Sequence, residues 1–161
     1  MNRSLQALLL GVLLFSLDQT SKQFALKWVP SGRPIEVIPG FFNLNLITNT
    51  GAAWGIMRDQ GLWLTALAIV ALGVLLIARR HFTHVGLLPR ITLGLLLGGI
   101  GGNLADRLRY GHVVDFLDFY IGPWHWPAFN VADSAICVGV LLYLLDSFKR
   151  DPAVARDERS C

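Results

Sequence analysis

Four long apolar runs constrain the fold of this chain more than any other feature. They cover residues 7–17, 62–78, 91–105 and 128–145. A helix needs about 20 residues to cross the hydrocarbon core of a bilayer, so several runs span it only by including polar residues at one end. The chain is 53% hydrophobic and 16% charged, which is too apolar for a soluble domain of this length. We predict four transmembrane helices, at about residues 5–26, 62–79, 88–106 and 129–147.

The first apolar run follows Arg3, as the core of a secretory signal peptide follows its basic start. No small-residue cleavage site comes after it, and the run ends instead in Asp18, Gln19 and Lys22. We therefore expect an uncleaved first membrane helix. No repeat or linker divides the chain, so we predict a single polytopic membrane domain over residues 1–161.

Basic residues and tryptophans predict the orientation of the helices. The basic residues at the termini and the second connection are Arg3, Arg79, Arg80, Arg90, Lys149 and Arg150. Because cytoplasmic loops carry an excess of Lys and Arg, we place both termini in the cytoplasm. The tryptophans all fall on the opposite side: Trp28, Trp54, Trp63, Trp124 and Trp126. Indole rings favour the headgroup boundary, so we expect an aromatic surface at the outer interface.

Two segments are predicted to lie on this outer face. Residues 30–56 contain short alternating stretches and a Pro39-Gly40 turn, which predict a small antiparallel sheet. Residues 108–127 contain Gly122-Pro123 and predict a partly helical loop over the site. The fold class is thus an all-α membrane protein, a bundle of four helices with a small sheet and a partly helical loop outside.

Antiparallel spans bring every polar cluster of the chain to this same face, whichever way the protein is oriented. A carboxylate at mid-membrane costs about 2.5–3.5 kcal/mol, so acids in such positions are expected to face the protein interior. The acids that qualify by position are Asp18, Asp106, Asp115, Asp118 and Asp133. Their convergence predicts a polar site half-way into the membrane or shallower.

The partners available along the chain divide these acids into two groups. Four residues fit structural charge pairs at helix ends: Asp18, Lys22, Asp106 and Arg107. Asp115 and Asp133 have no obvious local cation. A close pair of carboxyl groups shares a proton, so that one takes a proton from water while the other protonates the substrate. Spacing alone leaves an aspartyl dyad, a structural pair and a proton relay open.

Other kinds of site have weaker support in the sequence. Ser21 beside Lys22 leaves a Ser–Lys pair open, and His112 near Asp115 supplies half of a metal site without an HExxH-like set. We expect no metal and no cofactor. The excess of Lys and Arg over Asp and Glu is three, with no basic and aromatic stripe, so we expect no nucleic-acid partner. Gly94, Gly98 and Gly102 form a small-residue stripe that predicts close helix packing beside Asn103.

Five blocks in a fixed order resemble the bacterial lipoprotein signal peptidase family, also called signal peptidase II. They are DQTSK at 18–22, NTGAAWG at 49–55, GGIGGNLADR at 98–107, VVDF at 113–116 and FNVAD at 129–133. The resemblance implies an aspartic endopeptidase of the bacterial inner membrane. Its substrates would be diacylglyceryl-modified prolipoproteins, cut just before the lipidated cysteine, near the periplasmic face. Membrane lipids are the other expected partners, and we expect a monomer.

The same blocks imply roles for individual residues. By match to the family motifs, Asp115 and Asp133 would be the catalytic dyad. The residues implied to bind substrate are Asn49, Gly51, Asn103, Arg107 and Asn130. Those implied to support the site are Asp18, Lys22 and Asp106. Asp118, three residues after Asp115, is the acid most easily confused with a catalytic one.

Two other functions compete with a protease. A small membrane transporter or proton-relay subunit needs polar groups across the full depth of the membrane. The cytoplasmic halves of the four runs are almost entirely Leu, Ile, Val, Ala and Gly, which favours an enzyme with a site near one surface. A purely structural membrane protein would leave the convergence of polar residues without a purpose.

Overall fold

The computed structural model describes residues 2–51, 60–84 and 86–150. Its elements, in chain order, are α1 (Arg3–Trp28), β1 (Ile35–Ile38), β2 (Phe42–Asn49), α2 (Gly61–His84), α3 (Leu87–Tyr110), β3 (Val113–Ile121), β4 (Trp124–His125) and α4 (Val131–Arg150). The strands form a four-stranded sheet in the order β1-β2-β3-β4. Trp54 and the part of the NTGAAWG block that follows Gly51 lie outside the described residues.

Three helices of the described part are long and apolar enough to cross a membrane. They are Gly61–Arg80, Leu87–Tyr110 and Val131–Lys149. Large apolar side chains on α2, such as Leu62 and Ile77, are almost fully exposed, as expected of a surface that faces lipid. Helix α1 has 26 residues, but its second half buries Asp18 and Lys22, and it is not among the three. A fourth span therefore stays a prediction.

Helix α3 contacts the other three helices, and its glycines allow a close approach on two faces. A Cβ atom at Gly98 would lie 2.7 Å from the Gly11 carbonyl oxygen of α1. On the other face, a Cβ atom at Gly99 would lie 2.6 Å from the Ala132 carbonyl oxygen of α4. The predicted close packing of the glycine stripe is confirmed, and it brings α1 and α4 together around α3.

The sheet predicted between the first two spans is confirmed in β1 and β2, whereas the partly helical loop predicted at residues 108–127 is wrong. Only its start is helical, because α3 continues to Tyr110 and ends at Gly111 in the left-handed conformation, with φ 76°. Residues 113–121 form β3, which pairs antiparallel with β2, so the fold is not all-α. The first four residues of β3 are all buried. A strand buried on both faces lacks the polar–apolar alternation by which strands are recognised in a sequence.

A small apolar cluster packs the sheet against the end of α1. Its buried members, Ala25, Val29 and Phe116, come from the end of α1 and from β3. The backbone oxygen of Phe129 accepts hydrogen bonds from the N–H groups of Phe116 and Leu117. The segment that enters α4 therefore runs beside β3, and the VVDF and FNVAD blocks become neighbours.

Candidate active site

Asn130 and Asp133 form a reciprocal pair of hydrogen bonds at the start of α4. The Asn130 side-chain oxygen accepts from the Asp133 backbone N–H at 2.9 Å, and Asp133 Oδ2 accepts from the Asn130 backbone N–H at 3.2 Å. This is a capping box, in which a side chain before the helix and one in its first turn satisfy each other's backbone donors. The carboxylate lies at a helix N-terminus, where the helix dipole stabilises negative charge.

The side-chain amide of Asn130 also reaches Asp115 on β3. Asn130 Nδ2 donates to Asp115 Oδ1 at 2.7 Å, and Asn49 Nδ2 donates to Asp115 Oδ2 at 2.9 Å. Asn103 on α3 donates to Asp133 Oδ1 at 2.7 Å. Every carboxylate oxygen of Asp115 and Asp133 thus accepts a hydrogen bond, and one asparagine contacts both acids.

Burial raises the pKa of Asp115 to about 7, and the neighbouring carboxylate of Asp133 adds to this effect. The side chain is 1% exposed, so water does little to stabilise its ionised form. Hydrogen bonds from Asn49 and Asn130 lower the pKa and partly oppose the shift. Asp115 therefore exchanges its proton near neutral pH, as a general acid or base does.

Arg107 and Gly51 border the two acids. Arg107 Nη2 donates to the Gly51 carbonyl oxygen at 3.1 Å, and its guanidinium interacts electrostatically with both Asp115 and Asp133. The Gly51 N–H donates to Asn49 Oδ1 at 2.9 Å. The amide nitrogen of Asn49 therefore donates to Asp115, while its amide oxygen accepts from the backbone N–H of Gly51. The structure brings all five residues predicted to bind substrate next to the acids.

The three residues predicted to support the site form one buried charge cluster. Lys22 Nζ lies 2.9 Å from Asp18 Oδ2 and 2.8 Å from Asp106 Oδ2, and it donates to Asn103 Oδ1 at 3.0 Å. The predicted Asp18–Lys22 pair is confirmed. Asp106 finds a partner on another helix, as its position beside Arg107 required.

This charge cluster also holds the two segments that carry the acids. Asp18 Oδ1 accepts from the Ala132 backbone N–H at 2.9 Å, next to Asp133. Asp106 Oδ2 accepts from the Val114 backbone N–H at 3.1 Å, next to Asp115. Buried carboxylates with these partners connect α1 and α3 to the start of α4 and to β3.

Gln19 belongs to the same cluster, although sequence reasoning did not assign it to the site. Its side-chain nitrogen donates to Asp106 Oδ1 at 2.9 Å and to the Gly102 carbonyl oxygen at 3.2 Å. The available signal was its place in the DQTSK block, between two residues that were assigned to support. These two partners on α3 lie more than eighty residues away in the chain and could not be identified from the sequence.

Asp118 lies away from the other two acids. Its Oδ1 is 2.8 Å from His125 Nδ1 on β4, and its Oδ2 accepts from Asn45 Nδ2 at 3.2 Å. Residues three apart on a strand point to opposite faces, which separates it from Asp115. Asp118 thus belongs to the sheet and its hairpin.

The competing kinds of site receive no support from the geometry. The Ser21 hydroxyl donates to the Asp18 backbone oxygen at 2.8 Å, while the Lys22 ammonium contacts carboxylates. The His112 ring stacks on Tyr110, with ring centroids 6.0 Å apart. Within residues 2–51, 60–84 and 86–150, the side chains of His, Cys, Asp and Glu nowhere form a group of three that could hold a metal ion.

Comparison with known proteins relates this arrangement to one family. The family model described as signal peptidase (SPase) II matches residues 10–149. The lipoprotein signal peptidase of Burkholderia thailandensis is 48% identical over 143 residues, covering 86% of this chain and 84% of that protein. The lipoprotein signal peptidase of Syntrophus aciditrophicus is 41% identical over 145 residues, covering 86% of this chain and 89% of that protein.

Solved structures agree with the sequence comparison. A bacterial membrane enzyme determined by the in meso method at 2.3 Å has a TM-score of 0.82 at 32% identity, covering 91% of this chain and 90% of that chain. A second, determined at 1.9 Å, has a TM-score of 0.77 at 33% identity, covering 89% of this chain and 93% of that chain. With a family match over nearly its whole length and the same fold, this chain belongs to the signal peptidase II family.

Proposed function

We propose that Asp115 and Asp133 form the catalytic dyad with which this chain hydrolyses its substrate. Membership of the family makes the chain a lipoprotein signal peptidase, a membrane protease that removes signal peptides from prolipoproteins. The main support for a catalytic dyad is that Asn130 contacts both acids. It donates to Asp115 at 2.7 Å and forms the capping box with Asp133. Because both acids contact Asn130, we expect them to share a proton.

The reaction needs one ionised and one protonated carboxyl group. The ionised carboxylate takes a proton from water, whose oxygen attacks the scissile carbonyl carbon, while the protonated carboxyl donates its proton to the carbonyl oxygen. The resulting tetrahedral intermediate then collapses and the C–N bond breaks. One carboxyl group donates its proton to the leaving amine, and a hydroxyl group of the intermediate returns its proton to the other carboxylate as the C=O bond re-forms. No covalent enzyme intermediate forms, and the dyad ends with the single shared proton with which it began.

We assign substrate binding to the amide and guanidinium groups around the dyad. These groups belong to Asn49, Gly51, Asn103, Arg107 and Asn130. We expect their donors and acceptors to bind the backbone of an extended peptide. The scissile bond is the one just before the cysteine that carries the diacylglyceryl group. Both the lipid and the apolar signal peptide favour entry from within the bilayer.

We further propose that α1 is the fourth membrane span and that the active site lies near the periplasmic face. The support is the position of the exposed tryptophans, which occur where the helices meet the sheet: Trp28, Trp63, Trp124 and Trp126. Indole rings favour the headgroup region, and the dyad lies at this same end. Both termini are then cytoplasmic. We also propose that the chain is a single polytopic domain and acts as a monomer surrounded by membrane lipids.

Substitution of each acid tests the dyad. Purified wild type, Asp115→Asn, Asp133→Asn and Asp118→Asn are compared for cleavage of a diacylglyceryl-modified prolipoprotein. We expect turnover to fall by at least about a hundredfold in the first two, with the thermal unfolding temperature close to that of wild type. Asp118→Asn is the matched control, a buried acid of β3 whose partners are His125 and Asn45, and it should keep substantial activity. Full activity in Asp133→Asn would rule out the mechanism.

A further inference from the structure

Lys22 contacts the site as well as its structural counter-charges. Its ammonium group is 1% exposed and has three acceptors, the carboxylates of Asp18 and Asp106 and the amide oxygen of Asn103. The two carboxylates account for its charge. The Asn103 oxygen accepts the third hydrogen bond of the ammonium group, and the nitrogen of the same amide contacts Asp133.

These contacts set the orientation of the Asn103 amide. An ammonium group only donates hydrogen bonds, so the amide oxygen faces Lys22, at 3.0 Å. The amide NH2 group must then face Asp133, and it donates to Oδ1 at 2.7 Å. By fixing the Asn103 amide in this orientation, Lys22 ensures that the NH2 group of Asn103 donates to Asp133.

Several contacts of Asp133 stabilise its ionised form and oppose the effect of its burial. Oδ1 accepts from Asn103 and Oδ2 from the Asn130 backbone N–H, and the carboxylate lies in the first turn of α4, where negative charge is stabilised. The charged groups that interact with it are Lys22 and Asp18 from α1, Arg107 from α3 and Asp115 from β3.

Asp115 has different surroundings. It lies on a buried strand and not at a helix N-terminus, and no cation contacts it directly among the described residues. Burial raises its pKa to about 7. Of the two acids, Asp115 is therefore the one that more readily holds the shared proton.

We propose that Lys22 is a positioning residue of the reaction: acting through Asn103, it holds Asp133 as the ionised base of the dyad and leaves the shared proton on Asp115. The inference rests on the dyad proposed above and assigns a separate role to each acid. Asp133 takes the proton from the attacking water, and Asp115 donates its proton to the carbonyl oxygen.

The pH dependence of cleavage tests this role. The dependence of kcat/KM on pH is measured with a diacylglyceryl-modified prolipoprotein for wild type and Lys22→Gln, which keeps a donor toward Asn103 but loses the charge. Since an opposite charge nearby lowers a carboxyl pKa by about one to three pH units, the acid limb of the profile should move to higher pH by at least about one pH unit. At acidic pH, kcat should fall about tenfold for each pH unit by which the limb moves, with KM little changed.

Asp18→Asn is the matched control, because it breaks the same ion pair but keeps the contacts from Lys22 through Asn103 to Asp133. Its acid limb should not move to higher pH. The double variant Lys22→Gln/Asp18→Asn removes one cation and one anion together, so it avoids an added uncompensated buried charge and supplies the test if Lys22→Gln fails to fold. We expect its acid limb to move to higher pH as well, but less far than that of Lys22→Gln, because the negative charge of Asp18 is lost at the same time.

A purely structural role gives a different result. Lys22→Gln and Asp18→Asn would then both lower the thermal unfolding temperature while the pH limbs of the folded fraction stay at their wild-type positions, and this outcome would overturn the proposal. The dyad is tested separately, because its failure would appear as activity in Asp115→Asn or Asp133→Asn. Inactivity of those two variants with a wild-type profile in the Lys22 variants would reject only the role of Lys22.

Discussion

At the dyad, asparagine amides replace the water that would surround an exposed carboxylate. Asn49, Asn103 and Asn130 supply side-chain donors to the two acids, and they carry no charge of their own. Neutral donors lower the pKa of a buried carboxyl group less than a bound cation does. Residues of this kind leave Asp115 able to gain and lose a proton near neutral pH, whereas a directly bound lysine would hold it ionised.

The raised pKa of Asp115 predicts the alkaline limb of the activity profile. If Asp115 is the proton donor, its proton is present below about pH 7 and is lost as the pH rises through that value, so kcat/KM should fall there. Asn49→Ala removes a hydrogen bond that lowers this pKa, so the limb should move to higher pH by about one pH unit. Asn45→Ala, a matched change whose partner is Asp118, should leave the limb in place. An equal movement in both variants would contradict the assignment.

Two substitutions of Asn130 separate its structural and catalytic contributions. Serine can cap a helix but has no amide group to donate to Asp115. Asn130→Ser should therefore keep most of the stability and lose at least about tenfold in kcat. Asn130→Ala should lose similar activity and also about 1 kcal/mol of stability, because the cap is removed. Activity assays and thermal unfolding of both variants in detergent provide the comparison. Wild-type activity in Asn130→Ser would show that the amide contact to Asp115 is not needed.

At the scale of elements, the site depends on how closely α1 and α3 approach each other. The glycine face of α3 allows Asp18 and Lys22 of α1 to reach Asp106 and Asn103. The charge cluster then holds the backbone at Val114 and Ala132. Packing between two helices therefore determines the positions of the proposed catalytic groups, which belong to a strand and to a third helix.

Gly98→Ala tests this dependence. Its Cβ atom would lie 2.7 Å from the Gly11 carbonyl oxygen and 2.7 Å from Leu14 Cβ, so α1 has to shift. We expect a loss of about 1–3 kcal/mol in stability and a clear fall in kcat, measured by thermal unfolding and cleavage. Gly73→Ala on α2 is the control, because a Cβ atom there meets nothing within 4 Å. If both variants behave like wild type, close packing of α1 is not required for the site.

At the scale of the whole molecule, the buried charge cluster and the two acids proposed as catalytic lie at the end of the bundle that carries the sheet. The remaining lengths of α2, α3 and α4 are apolar, and many of their large side chains are exposed. This distribution suits an enzyme whose substrate is itself anchored in lipid, because hydrolysis needs water only near one surface.

Labelling of single cysteines tests the proposed orientation. In a Cys137→Ala/Cys161→Ala background, Trp124→Cys and Leu87→Cys place thiols at sites that are 80% and 64% exposed in the native chain. A membrane-impermeant maleimide added to intact spheroplasts should label position 124 and leave position 87 unlabelled until the membrane is opened. The opposite pattern would reverse the orientation and place the active site on the cytoplasmic side.

The apolar runs, their parity and the order of the five blocks are properties of the sequence alone. They predicted a membrane protein, the convergence of the polar clusters, the family and the residues of the candidate site. This was possible because hydrophobic length and short motifs are local features of the chain.

Four features were decided only by the tertiary structure. Residues 113–121 form a strand, Asp118 lies away from the site, Gln19 contacts the charge cluster, and Asn130 contacts both acids. These features depend on partners far apart in the chain. A strand buried on both faces has no alternation to recognise, and a buried polar group takes whichever partner the packing of helices and strands brings within hydrogen-bonding distance.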